Sequence, residues 1–80
     1  MPRWFVYMVR CANASLYTGI TTDVEARVKS HNAGTGAKYT RAFGPVQLVY
    51  AKAMPSASAA HKREAEIKGW KKSDKEKLIN

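Results

Sequence analysis

Trp4-Phe5-Val6-Tyr7-Met8-Val9, the turn-like Ala12-Asn13-Ala14-Ser15 and Leu16-Tyr17-Thr18-Gly19-Ile20-Thr21 decide the fold. The first run is aromatic and β-branched and apolar on both faces, so it reads as a buried strand over residues 3–10. The third run is a second strand, and the polar turn between them makes the two a hairpin. With the turn centred near residue 12, paired residue numbers sum to about 24, which sets Tyr7 opposite Tyr17. Gly19 lies inside a strand, where glycine often marks the close approach of another group.

Beyond the hairpin, Thr22-Asp23-Val24-Glu25 matches a capping box and predicts a helix over 23–32, with Gly34 at its C-terminal stop. Arg27 and His31 are four apart and share a face of it. Residues 33–45 hold three glycines and a proline and read as a long functional loop. Val46–Ala51 is a third strand, residues 56–70 a second helix, and Ser73-Asp74-Lys75-Glu76 a capping box that opens a short last helix. The order is ββαβαα. The expected fold is α/β (α+β), a small three-stranded antiparallel sheet flanked by helices, with residues 1–80 as a single domain.

Composition narrows the function. Fourteen basic against six acidic residues give the 80-residue chain a formal charge of +8. Both halves are basic, which argues against a basic tail on a neutral domain and points to a polyanion, nucleic acid first. An ordinary basic protein is the bland alternative. No window approaches the ~20 apolar residues of a membrane span, and the apolar run at 4–9 is shorter than a signal-peptide core. Cys11 is the lone cysteine, so no internal disulfide forms and the cytoplasm is the expected compartment. The small core leaves a monomer or a weak homodimer as the expected state.

Most standard chemistry is absent. Gly34-Thr-Gly36-Ala-Lys38 lacks the ending of a phosphate loop and follows a helix instead of preceding one. Cys11, His31 and His61 lack zinc-ligand spacing. The six acids are too few for a carboxylate cluster once Asp23, Glu25, Asp74 and Glu76 take helix-end duties. Glu64 stands out. It fills a position in the apolar stripe Ala57, Ala60, Ile67 of the second helix, while Glu66 lies about 200° around and is solvated. A carboxylate on the core side needs a partner. That partner is either Arg27 or a lysine in a structural ion pair, or a metal ion lining a cleft. Tyr7 and Tyr17 carry two readings as well: an aromatic pair in the core, or two phenols in a polar cleft near Arg27 and His31.

The ordered set Phe5-Val6-Tyr7, Tyr17-Thr18-Gly19, Arg27 with His31, and Ala60-His-Lys-Arg-Glu64-Ala-Glu-Ile-Lys68 resembles the GIY-YIG nuclease superfamily, nearest its small stand-alone bacterial members of the YhbQ type. The resemblance spans about residues 3–79. It implies a metal-dependent DNA endonuclease with one active site. Tyr7 would be the general base, and Tyr17 would orient water or bind phosphate. Gly19 would be the motif glycine, and Arg27 would bind the scissile phosphate. His31 would share base or phosphate duties, and Glu64 would hold a single Mg²⁺ or Mn²⁺. Phe5 stands where the first motif has glycine, and Thr18 where the second has isoleucine; Asn80 takes no role. The resemblance leaves branched and damaged DNA open as substrates. It implies a partner protein for specificity, since no second DNA-binding domain fits. A nucleic-acid-binding module with vestigial or partner-dependent cleavage is the alternative function. Lys38, Tyr39, Arg41 and Lys68 are candidate nucleic-acid contacts around the site. The remaining lysines, with Trp4 and Trp70, are read either as more of that surface or as a solvated face and core aromatics.

Overall fold

β1 (Trp4–Arg10) is the middle strand of a three-stranded sheet of order β2-β1-β3. Its central position explains its composition: side chains alternate across a strand, and both faces of this one are covered. The computed structural model describes residues 3–79; Met1, Pro2 and Asn80 lie outside the described residues. β2 (Leu16–Thr21) and β3 (Gln47–Met54) both pair antiparallel to β1. α1 (Val24–Asn32) and α2 (Lys38–Phe43) precede β3, and α3 (Ala57–Lys68) and α4 (Lys72–Ile79) follow it.

The expected fold class is what the structure has, with one helix more than the expected order. Residues 38–43, read as loop, form α2. Between Gly36 and Gly44 the run Lys-Tyr-Thr-Arg-Ala-Phe holds no breaker, so it completes one and a half turns before Gly44 and Pro45 end it.

The hairpin register also differs. Tyr7 pairs with Gly19 and Val9 with Tyr17, so paired numbers sum to 26. The turn centres on Asn13, because Ala14 takes a left-handed conformation (φ 71) and the Cys11 amide donates to the Ser15 carbonyl at 2.8 Å. A three-residue loop ending in such a residue is a standard hairpin closure. Tyr7 and Tyr17 are therefore diagonal neighbours on one face.

Helix starts shift by one residue. Asp23, not Thr22, caps α1, its carboxylate accepting from the Ala26 amide at 3.0 Å. Thr21 braces that cap by accepting from the Asp23 amide at 3.1 Å. α4 begins at Lys72, which places Ser73 inside the helix. Its Glu76 does not cap; it forms a two-pronged bridge to Arg10 at 2.7 and 2.8 Å, tying the last helix to β1. The guanidinium holds the Glu76 carboxyl below its ordinary range.

The sheet faces differ. Val6 and Met8 point to α3 and α4, where they bury with Ala60 and Ile67, and Trp4, Ile20, Trp70, Leu78 and Ile79 pack around them. Burying each large apolar side chain stabilises by about 1.5–3 kcal/mol. Both tryptophans thus belong to the core, the second reading offered for them. Tyr7 and Val9 point the other way, onto Cys11, Val46, Tyr17 and Val28 of α1. Asn32 closes the excursion between α1 and β3: its side chain accepts from the Val46 amide at 2.6 Å and donates to the Val46 carbonyl at 3.2 Å.

Candidate active site

Tyr7 is 1% exposed at the middle of β1, on the face covered by α1. Its ring lies across the backbone of Gly19. A Cβ at Gly19 would stand 2.7 Å from Tyr7 Oη and 2.8 Å from Cζ. The close approach that Gly19 signalled is therefore made by Tyr7 itself, and only a residue without a side chain leaves room for that phenol.

α1 delivers two groups to the Tyr7 hydroxyl. His31, equally buried, sets Nε2 at 2.7 Å from Tyr7 Oη. One turn earlier, Arg27 Nε donates to the same oxygen at 3.4 Å. The helical spacing of four is what brings both to one point. Burial pushes the Tyr7 phenol above its ordinary pKa, and the Arg27 guanidinium opposes that rise. Burial holds His31 below the usual histidine range, and Arg27 adds to the effect. At neutral pH the pair is thus a phenol facing a neutral imidazole, the state in which a proton can pass from oxygen to nitrogen.

Tyr17 stands with its ring edge-on to His31, centroids 5.2 Å apart. Tyr39 of α2 lies nearly parallel to Tyr17 at 6.4 Å, and Phe43 follows Tyr39 at 4.9 Å. The Tyr39 hydroxyl donates to Ser15 Oγ at 2.7 Å, which fixes this outer ring against the hairpin turn. Tyr39 and Phe43 are about 40% exposed, so aromatic surface runs from the site to solvent. Lys38 and Arg41 stand exposed on the same short helix.

Glu64 lies on α3, its side chain only 19% exposed, as its place in the apolar stripe suggested. Its carboxylate pairs with Lys68 Nζ at 3.3 Å and comes within 4.0 Å of His61 Nδ1. Lys68 also stands 6.0 Å over the Tyr17 ring, so α3 reaches the site along the β2 edge. The negative charge of Glu64 is felt at Tyr7, where it adds to the upward push on the phenol after burial and Tyr17. The ion pair with a lysine, one of the two partners considered for Glu64, is therefore present. Among the described residues no three His, Cys, Asp or Glu gather into a metal cage. A single, partly buried carboxylate fits a hard divalent ion that keeps most of its water, as Mg²⁺ does, and not a metal enclosed by protein ligands.

Of the sequence-derived candidates, Arg27, His31 and Gly19 gather around the Tyr7 hydroxyl and Tyr17 stands against His31, with Lys68 over the Tyr17 ring and Glu64 paired to Lys68. Tyr39 joins through its stack on Tyr17, and Lys38 and Arg41 flank it on α2. Thr40 escaped the sequence reading. It is fully buried, and its Oγ1 lies 2.6 Å from His31 Nδ1. The available signal was Gly36: a Cβ there would stand 2.6 Å from His31 Nδ1, so the chain passes directly over the imidazole.

Residues 3–78 match the family model described as the GIY-YIG catalytic domain. A UPF0213 protein of Haloquadratum walsbyi is 55% identical over 74 residues, 92% of this chain and 83% of the relative. A UPF0213 protein of Staphylococcus haemolyticus is 52% identical over 79 residues, 99% of this chain and 96% of the relative. The solution NMR structure of a UPF0213 protein from Bacillus halodurans superposes with TM-score 0.62 at 45% identity, covering 96% of this chain and 82% of that one. A second NMR structure, from E. faecalis, gives TM-score 0.66 at 36% identity over 99% of this chain and 84% of that one.

Proposed function

This chain belongs to the family of the GIY-YIG catalytic domain, and from that premise we propose that it is a divalent-metal-dependent endonuclease hydrolysing DNA phosphodiesters. The observation that carries the proposal is the buried hydroxyl of Tyr7 held between His31 Nε2 and Arg27 Nε.

Hydrolysis of a phosphodiester needs a base for water, positive charge on the non-bridging oxygens and help for the leaving oxygen. Tyr7 is the general base. Its phenol cannot take a proton while it keeps its own, and His31 resolves this. As water gives a proton to Tyr7 Oη, the original phenolic proton passes to His31 Nε2. The water oxygen bonds to phosphorus, and the bond from phosphorus to the leaving sugar oxygen breaks with its electron pair on that oxygen, which solvent protonates. The imidazolium then returns its proton to Tyr7 Oη, and the proton Tyr7 took from water leaves to solvent. Arg27 neutralises the phosphate and steadies the charge that builds on it. Tyr17 orients the water or the phosphate from the neighbouring strand. Glu64 would hold a single Mg²⁺ or Mn²⁺, which when bound supplies positive charge to the phosphate and to the leaving oxygen. Lys68 must release Glu64 for that to happen.

DNA reaches this centre across α2, where Lys38 and Arg41 contact phosphate and Tyr39 offers a ring. Lys68 joins them once it leaves Glu64. Branched or damaged DNA is the proposed substrate, and a partner protein is proposed to supply selectivity. A monomer or weak homodimer in the cytoplasm is the proposed setting, consistent with the single, buried thiol of Cys11.

The Glu64–Lys68 ion pair favours a second reading, a nucleic-acid-binding module in which the lysine has taken the place of the metal. One experiment separates the two. Supercoiled plasmid is incubated with the protein and Mg²⁺, Mn²⁺ or EDTA, beside Tyr7→Phe and Glu64→Gln. Metal-dependent nicking by the unaltered protein alone supports the nuclease. Salt-sensitive binding without nicking, unaffected by Glu64→Gln, supports the module.

A further inference from the structure

Thr40 and the backbone of Ala37 decide where the proton of His31 sits. Three short contacts form a line: Tyr7 Oη to His31 Nε2 at 2.7 Å, His31 Nδ1 to Thr40 Oγ1 at 2.6 Å, and Thr40 Oγ1 to the Ala37 carbonyl at 3.0 Å. A carbonyl oxygen only accepts, so the single proton of the Thr40 hydroxyl goes to Ala37. Thr40 Oγ1 must then accept from His31, which requires the hydrogen on Nδ1. A neutral imidazole protonated at Nδ1 has a bare Nε2, and that lone pair faces the Tyr7 hydroxyl.

The reverse assignment fails on the same contacts. With the hydrogen on Nε2, Tyr7 Oη would receive from both His31 and Arg27. Its own proton would have no acceptor among these contacts in a residue 1% exposed. Thr40 would have to turn its hydrogen to Nδ1 and lose Ala37. A buried donor without an acceptor costs about 1–3 kcal/mol.

We propose that Thr40 is a positioning residue: by accepting from Nδ1 while anchored to Ala37, it locks His31 in the one neutral tautomer that can take the Tyr7 proton. The inference rests on the roles given above to Tyr7 and His31. It also gives the segment between α1 and β3 a purpose. Gly36 lets the chain cross the imidazole, and α2 then turns Thr40 back onto Nδ1. The device parallels the carboxylate that orients the histidine of a serine protease, with a neutral hydroxyl–carbonyl pair in its place.

The test reads the tautomer directly, by long-range ¹H–¹⁵N correlation spectra of the His31 ring at a pH where it is neutral. Wild type shows the hydrogen on Nδ1. Thr40→Val, which keeps the shape and removes the hydroxyl, moves it to Nε2 in a large share of molecules, and Thr40→Ser restores Nδ1. In the nicking assay, Thr40→Val lowers kcat by about 10–100-fold with KM little changed, and Thr40→Ser recovers most of the rate. A wild-type spectrum with the hydrogen on Nε2 overturns the inference, as does Thr40→Val with the tautomer unmoved. So does a tautomer change that leaves kcat as it was. Because the spectra need no substrate, the expected tautomer in a protein that nicks nothing upholds the assignment and removes the nuclease reading alone.

Discussion

The two faces of β1 carry opposite chemistries within four consecutive residues. Val6 and Met8 enter an apolar layer with Ala60 and Ile67. Tyr7, between them in sequence, enters a layer where phenol, imidazole and hydroxyl are all buried and all bonded. The polar face satisfies its groups completely, and the apolar face does not. Thr18, opposite Met8, holds the one buried side-chain polar atom without a hydrogen bond among the described residues. A buried polar network is stable only when every member has a partner, whereas a methyl-rich layer tolerates a single idle hydroxyl at modest cost.

Four changes break or sharpen that contrast. Tyr7→Phe removes one oxygen from the polar face and should lower the nicking rate by about 10²–10⁴-fold, with near-native circular dichroism checking that the fold survives. Ile67→Ala opens the apolar layer instead. Denaturant unfolding should show a loss of about 2–5 kcal/mol, with nicking per folded molecule unchanged. The third is a change of pH. Burial lowers the pKa of His31, so the neutral imidazole persists below the ordinary histidine value. Cleavage should hold through pH 6.5 and then fall about tenfold per pH unit once His31 protonates. Stability carries the same sign: it is full above the unfolded-state pKa and declines as pH drops toward the lowered folded one. A rate profile paired with pH-dependent melts checks both. The smallest change is Thr18→Val, which replaces the idle hydroxyl by a methyl and should raise stability by about 1 kcal/mol in chemical denaturation.

The contrast also marks what the sequence revealed. β1 declared its burial on both sides through an unbroken apolar run, and Glu64 declared itself by interrupting an apolar stripe. Arg27 and His31 shared a face by spacing alone. The register did not follow, because it hinges on Ala14 turning left-handed (φ 71), and alanine, unlike glycine or asparagine, gives no notice of that conformation. α2 was hidden by the breakers around it. Thr40 was hidden for a different reason: Lys38, Tyr39, Arg41 and Ala42 beside it are exposed, and its burial depends on the fold of a distant helix. Local pattern reports which face a residue takes. It does not report which two faces meet.

Tyr7 stands on a strand bonded on both sides, while Thr40 comes from a six-residue helix tied to the body by Thr40 on His31, by Tyr39 on Ser15 and by one hydrogen bond from the Ala12 amide to the Phe43 carbonyl. The two ends of the proton line therefore belong to regions of unequal local stability. Backbone amides of α2 should exchange with deuterium well before those of β1. On warming, the proposed nicking should cease while the sheet is still intact, return on cooling, and be lost for good only when the central strand itself comes apart.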